Sequence, residues 1–286
     1  MDSVEYAAAF AEVKTLGAKT NTTRTSEQSD IAKFWSDFTN TATPPGHWQE
    51  IAATNSVAKN NTLLENARLF ALLSFAQADS AIVCWEAKFR YNFWRPITAV
   101  QRADEDGNNA TEKDINWTSY LNTPPFPEYT SGHSTFSKAS AVVLAFFFGT
   151  DKMSFSTKSD SLPGLRHYTS FSSCADEIGR SRIYGGIHFE FSNVDGKKCG
   201  QKIGEYVSRN YLLPNTSLPL VNLESFTQNH HALRIHGHIS KNFVLEGSTN
   251  LAAWIPLTTN TSVSGGVMIT NSINENSPTW FYRIRE

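Results

Sequence analysis

Small and apolar residues recur at helical spacing over residues 2–16, and a polar Thr/Asn/Ser stretch at 18–26 interrupts them. Ser26-Glu-Gln-Ser-Asp-Ile-Ala-Lys-Phe-Trp-Ser-Asp-Phe38 then reads as an amphipathic helix, with Ser26 or a neighbour as its N-cap. Pro44-Pro45-Gly46 predicts a turn that ends this unit, and His47 to Ala58 predicts a short helix. The strongest helical pattern runs from Thr62 to Phe93. Leu63, Leu64, Leu69, Phe70, Leu72, Leu73, Phe75, Ile82, Val83 and Trp85 fall on nearly every face, which predicts a helix at the centre of a bundle. Pro96 bends or stops it. Residues 103–117 read as a polar loop, and Thr123-Pro-Pro-Phe-Pro-Glu-Tyr129 is too rich in proline for a helix or an internal strand. Helices are predicted over Ser131–Phe148, Ser170–Arg180 and Gly200–Leu212, with a polar loop at 150–164 and an interruption at Gly185-Gly186. Helices that follow one another without a strand–loop–helix rhythm predict an all-α helical bundle.

The texture changes near residue 236. Asn242-Phe-Val-Leu-Glu-Gly, Ala252-Ala-Trp-Ile-Pro-Leu, Gly266-Val-Met-Ile-Thr and Thr279-Trp-Phe-Tyr-Arg-Ile-Arg are short β-type runs separated by Asn, Ser, Thr and Gly. The expected organisation is a helical domain over 1–212, a linker over 213–235 containing Pro214 and Pro219, and a small C-terminal β module over 236–286. The histidines at 230, 231, 236 and 238 cluster around the boundary between that linker and the module.

Composition narrows the function. With 286 residues, 40% hydrophobic and 12% aromatic, the chain can build a full core. A formal net charge of -2 provides no general field for nucleic acid or an anionic membrane, so any anion site must be local. Cys84, Cys174 and Cys199 lack CxxC spacing and read as free thiols. The run Ala139–Gly149 is shorter than the roughly 20 residues of a membrane span, and none is expected. The acidic start, Met1-Asp-Ser-Val-Glu-Tyr, lacks the features of a signal peptide, so an exported protein would have lost its leader from this chain.

Positive charge is concentrated in three short segments: Lys88-Phe-Arg-Tyr-Asn-Phe-Trp-Arg95-Pro96, Ser131-Gly132-His133, and Ser181-Arg182-Ile-Tyr-Gly-Gly-Ile-His188. None of the three contains a carboxylate. Lys88 and Arg95, seven residues apart, would share one face of a helix. Ser131 can cap the helix that follows, whose free N–H groups and dipole favour an anion, and Gly132 permits close approach to the backbone. His133 would stand beside such an anion, able to give or take a proton. Gly185-Gly186 allows Arg182 and His188 to turn toward one point. The set suits a tetrahedral oxyanion such as phosphate or vanadate.

Taken in order, Lys-x6-Arg-Pro, Ser-Gly-His and Ser-Arg-x5-His resemble the signature of the vanadium-dependent haloperoxidases and the related type 2 phosphatidic acid phosphatases, over residues 10–212. The resemblance implies a haloperoxidase/acid phosphatase type of bundle, nearest to the chloroperoxidase-like bacterial members. It implies vanadate bound through a ring nitrogen of His188, with Lys88, Arg95, Arg182, Ser131 and the Gly132 N–H holding its oxygens. His133 would be the acid–base residue, and Lys88 would polarise the reacting group. Hydrogen peroxide would be the co-substrate, halide would be oxidised to hypohalous acid, and a small organic acceptor would follow. Trp85 and Phe126 match the aromatic residues on the halide side of the chloroperoxidase-like members. Bromoperoxidase-like members carry histidine at the position of Phe126, so the choice between chloride and bromide stays open.

The broader family often has an acid four residues after the ligand histidine, where this chain has Ser192; Glu190 and Asp195 flank that position. The resemblance also suggests Glu27 or Asp30 as a partner for Arg182, a secreted or periplasmic bacterial protein, and a homodimer. The same ligands would serve an acid phosphatase, in which His188 attacks phosphorus to form a phosphohistidine and His133 protonates the leaving alkoxide. A binding protein without activity on the same scaffold is the third reading.

Overall fold

Two capping boxes start the helices that carry much of the core. In each, a threonine side chain accepts the backbone N–H three residues on, while the Gln28 or Glu65 side chain returns to the threonine N–H. The helices so begun are α2 (Ser26–Phe34), capped by Thr25, and α4 (Leu63–Tyr91), capped by Thr62. The computed structural model describes residues 1–20, 22–213, 220–226, 230–236, 242–261, 267–272 and 280–285. It divides into two compact units, Met1–Leu212 and Leu213–Glu286.

In the first unit, α1 (Val4–Leu16), α2, α3 (Thr43–Ala58), α4, α5 (Pro96–Gln101), α6 (Gly132–Phe148), α7 (Phe171–Tyr184) and α8 (Glu190–Asn210) form a helical bundle. Helix α6 lies at its centre, packed against α8, α4, α7 and α3. One core gathers Trp35, Trp48, Ile51, Leu69, Leu72, Leu73, Val143, Leu144, Phe171 and Ile178. A second, built from Tyr6, Phe10, Val13, Val100, Trp117 and Phe189, joins α1 to α5 and the start of α8.

Several boundaries differ from expectation. Pro44 and Pro45 do not end a unit. They sit in the first turn of α3, where a missing N–H costs nothing. The loop expected at 150–164 contains β1 (Phe155–Lys158), paired antiparallel with β2 (Leu165–Tyr168). Helix α4 is not buried all round: Leu69, Leu72, Leu73 and Ala76 face the core, while Phe75, Ile82 and Phe89 are exposed. By length and composition α4 is apolar enough to cross a membrane, a test that the core helix of a bundle also passes.

Helix α8 begins at Glu190, well before the expected start at Gly200. Gly196, Gly200 and Gly204 form the stripe that lies on α6. A Cβ at Gly200 would stand 2.4 Å from the Thr135 carbonyl oxygen, and one at Gly196 would stand 2.8 Å from that of Ser131. Close approach of two backbones therefore outweighs the poor helix propensity of glycine. Gly200→Ala is expected to lower stability by about 1–3 kcal/mol, the usual cost of overpacking. A urea midpoint equal to that of the wild type, at equal slope, would contradict this packing.

In the second unit, β3 (Leu220–Phe226), β4 (His230–His236) and β7 (Val267–Ser272) form one three-stranded sheet in the order β3-β4-β7. β5 (Asn242–Ser248), β6 (Ile255–Thr261) and β8 (Phe281–Arg285) form another in the order β6-β5-β8. Leu233, Ile235, Phe243 and Leu245 fill the core of this unit. The expected linker at 213–235 is thus corrected, since it carries β3 and β4. Its prolines and clustered histidines concealed the alternation that sends Val221, Leu233 and Ile235 inward. His230, His231 and His236 lie on β4, and His238 lies outside the described residues. Among the described residues no group of His, Cys, Asp and Glu is arranged to hold a metal ion.

Candidate active site

The three cationic segments converge at one end of the first unit. Lys88 lies in the last turn of α4 and is 1% exposed. Asn92 then ends the helix in the left-handed conformation, φ 44°, and Arg95 becomes the N-cap of α5. Lys88 and Arg95 therefore do not share one helix face, as their spacing suggested. The turn between α4 and α5 brings them together. Ser131 caps α6, its hydroxyl accepting from the Ser134 N–H. Arg182 occupies the last turn of α7. The following turn is clamped at Gly186, φ 73°, where a Cβ would stand 2.2 Å from the Gly17 carbonyl oxygen. The chain leaves that turn through His188 and enters α8, with Phe189 as its N-cap.

The proline-rich stretch wraps around this cluster. The Lys88 ammonium donates to the carbonyls of Pro127, Glu128 and Thr130 at 3.0, 2.9 and 2.6 Å. Arg95 donates through Nε to the Phe126 carbonyl at 2.9 Å and through Nη1 to that of Ile187 at 2.7 Å. Its Nη1 also lies 3.1 Å from His188 Nε2. The ring of Phe126 stands 5.3 Å from Lys88 Nζ and 5.1 Å from Arg95 Cζ, and it packs on Trp85 at 5.3 Å between centroids. These are cation–π distances.

A cavity of about 580 Å³ opens in front of the cluster. Trp85, Pro124, Pro125, Phe126 and Phe136 form an apolar wall, and Gly132, His133, Arg182 and His188 supply the polar surface. Lys88, Arg95 and Ser131 do not line it. They stand directly behind, bonded to the segments that do.

Two carboxylates that the motifs did not reveal enter the site. Glu128 is fully buried; its Oε1 lies 2.7 Å from His188 Nδ1 and accepts the Phe189 N–H at 3.0 Å. Asp37 lines the cavity, and both of its oxygens lie 3.3 Å from His47 Nδ1. Arg182 donates to the Trp35 carbonyl at 2.7 Å, and Asp37 is the carboxylate that favours its charge. The partner suggested earlier is corrected: Glu27 pairs with Arg166. The only sequence signal for either acid was its position, Glu128 inside the proline-rich stretch and Asp37 after the Phe34-Trp35 pair.

Burial dominates the protonation of this site. It pushes Lys88 down to about 8, with Arg95 adding repulsion while Cys84 and Glu128 act in the opposite direction. It pushes Glu128 up to about 7, against the pull of the Phe189 N–H, Arg95 and Lys88. His188 and His133 are both held well below the usual imidazole range, by burial first and then by neighbouring cations, Arg95 for His188 and Arg182 for His133. Both imidazoles are therefore neutral at pH 7.

Two buried polar atoms at the cavity, Arg182 Nε and His133 Nε2, have no hydrogen-bond partner. An unpartnered buried guanidinium N–H is costly, and a bound oxyanion removes that cost. Together with the N-terminus of α6 and the neighbouring cations, this donor set fits vanadate or phosphate.

The helical bundle thus directs cations, two imidazoles and a helix N-terminus at one cavity, a donor set of the kind that suits an oxyanion. The chain belongs to the VCPO second helical-bundle domain family, whose description its residues 68–213 match. Over 159 residues it is 31% identical to the vanadium chloroperoxidase of Curvularia inaequalis, covering 48% of this chain and 25% of that protein. It is also similar to the structure described as the first bacterial vanadium-dependent iodoperoxidase, with a TM-score of 0.63 and 35% identity over 73% of this chain and 50% of the other. A holo-type bacterial vanadium-dependent chloroperoxidase shares the fold, with a TM-score of 0.58 at 18% identity over 71% of this chain and 47% of the other. The chain spans half or less of the length of these relatives.

Proposed function

We propose that the protein is a vanadate-dependent haloperoxidase that uses hydrogen peroxide to oxidise halide to hypohalous acid. The observation that carries this reading is the convergence of His188 Nε2, the unpartnered Arg182 Nε and His133 Nε2, and the N-terminus of α6 on one apolar-walled cavity. The names of the relatives point the same way.

In this reading His188 Nε2 is the ring nitrogen that holds vanadium. Arg182, Arg95, Lys88, the Ser131 hydroxyl and the Gly132 N–H hold the oxygens. Lys88 and Arg95 are occupied with main-chain carbonyls, and Arg95 with His188 Nε2, so both exchange some of these bonds when an oxyanion arrives. Vanadate supplies Lewis-acid activation of peroxide toward a two-electron oxidation. His133, neutral beforehand, would accept a proton at Nε2 from the incoming hydrogen peroxide and return it to the oxygen that leaves with the product. Trp85 and Phe126 exclude water from the halide side, which strengthens the field of the cations behind them. This reading includes export from a bacterial cell and action on a small organic acceptor.

A dye assay tests the proposal. Bromination of a phenolic dye should require both orthovanadate and peroxide, and should be compared with chloride and iodide. Turnover unaffected by vanadate would defeat the proposal. Hydrolysis of p-nitrophenyl phosphate that vanadate inhibits would favour the phosphatase in its place.

A further inference from the structure

We infer that Glu128 is the positioning residue that sets the tautomer and ring orientation of His188, presenting a bare Nε2 to the cavity. A neutral imidazole carries one N–H, so its two neighbours decide which nitrogen bears it. Arg95 Nη1, 3.1 Å from Nε2, belongs to a group with donors only, so Nε2 must be the acceptor. Glu128 Oε1, 2.7 Å from Nδ1, already accepts the Phe189 N–H at 3.0 Å, so it faces Nδ1 as an acceptor and Nδ1 carries the proton. Both neighbours demand the same tautomer.

The carboxylate is itself held in place. Lys88 donates to the carbonyls of Pro127, Glu128 and Thr130, and the Glu128 N–H donates to the Phe93 carbonyl at 2.9 Å. The proline-rich turn is thus pinned from α4 and from the turn after it. Ser192 lies fully buried beside Glu128, and its hydroxyl and Glu128 Oε2 are both buried atoms without a hydrogen-bond partner. No carboxylate of α8 contacts His188 among the described residues. Glu190 serves Arg180 and Asn193, and Asp195 serves Tyr129 and Lys198. The orienting acid comes instead from a distant stretch of chain.

The consequence for vanadate rests on the haloperoxidase reading, whereas the tautomer does not. Nitrogen NMR of the full chain labelled at histidine should show His188 as one tautomer, with Nδ1 protonated and Nε2 bare. Glu128→Met, which keeps most of the volume, leaves Nδ1–H without its acceptor and only Arg95 to favour that tautomer, so the spectrum should become mixed and orthovanadate binding should weaken by about 10–100-fold, the usual effect of losing an orienting partner. Glu128→Gln should keep the Nδ1–H tautomer, because its amide oxygen still accepts. Glu128→Met combined with Ser192→Asp should restore a single tautomer and part of the affinity, since it returns a carboxylate to the same pocket. Wild-type protein protonated at Nε2, or Glu128→Met with unchanged spectrum and affinity, overturns the inference. The expected tautomer changes in a protein that binds no orthovanadate would support the positioning role and defeat the haloperoxidase reading.

Discussion

His188→Ala is expected to lower orthovanadate affinity by more than about 100-fold, beyond the 10–100-fold typical of losing only a supporting residue. Three features make the effect large. The residue is 3% exposed, so water cannot easily replace the ring. Its burial and the cations around it keep it neutral, the state in which a ring nitrogen has a lone pair to give. Its removal also leaves Glu128 Oε1 and Arg95 Nη1 without their shared partner, and these two are then free to satisfy each other across the site. Equilibrium binding of orthovanadate to both proteins measures the difference. Equal affinities would exclude His188 as the ligand, whatever the halogenation activity.

His133→Ala is expected to separate binding from turnover. The imidazole lies in the first turn of α6, against the cavity, with an unpartnered Nε2. It makes one of several contacts available to an oxyanion, so orthovanadate affinity should change by less than the effect at His188. Turnover should fall by about 10²–10⁴-fold, the range for loss of a general acid–base group. Burial and Arg182 hold the free imidazole neutral, so the pH profile of the wild type should carry a group that His133→Ala lacks. Steady-state bromination across pH, with vanadate saturating, is the measurement. Full turnover in the variant would assign the proton to another group, with Asp37 the nearest untested carboxylate at the cavity.

The cationic cradle was legible in the sequence because each of its parts is local. Ser131 reads as an N-cap, Gly185-Gly186 as a turn, and Lys88 and Arg95 as two charges beside a helix-stopping proline. Lys88 and Arg95 meet differently from what their spacing predicts, because Asn92 ends α4 between them. The helices were legible where apolar residues recur at helical spacing, as over residues 2–16 and 62–91. Two boundaries were misplaced: Pro44 and Pro45 open α3 from first-turn positions that suit proline, and α8 starts at Glu190, ten residues before Gly200, with Gly196 packed on the start of α6.

Local chemistry thus determined the helices, their caps and the residue types of an anion site, because those depend on neighbours within a few positions. Only the folded chain could decide which carboxylate meets His188. Glu128 reaches it across 60 residues of sequence. No periodicity encodes such a pairing, for it follows from two backbones close enough at Gly196 and Gly200 to set the starts of α6 and α8 side by side.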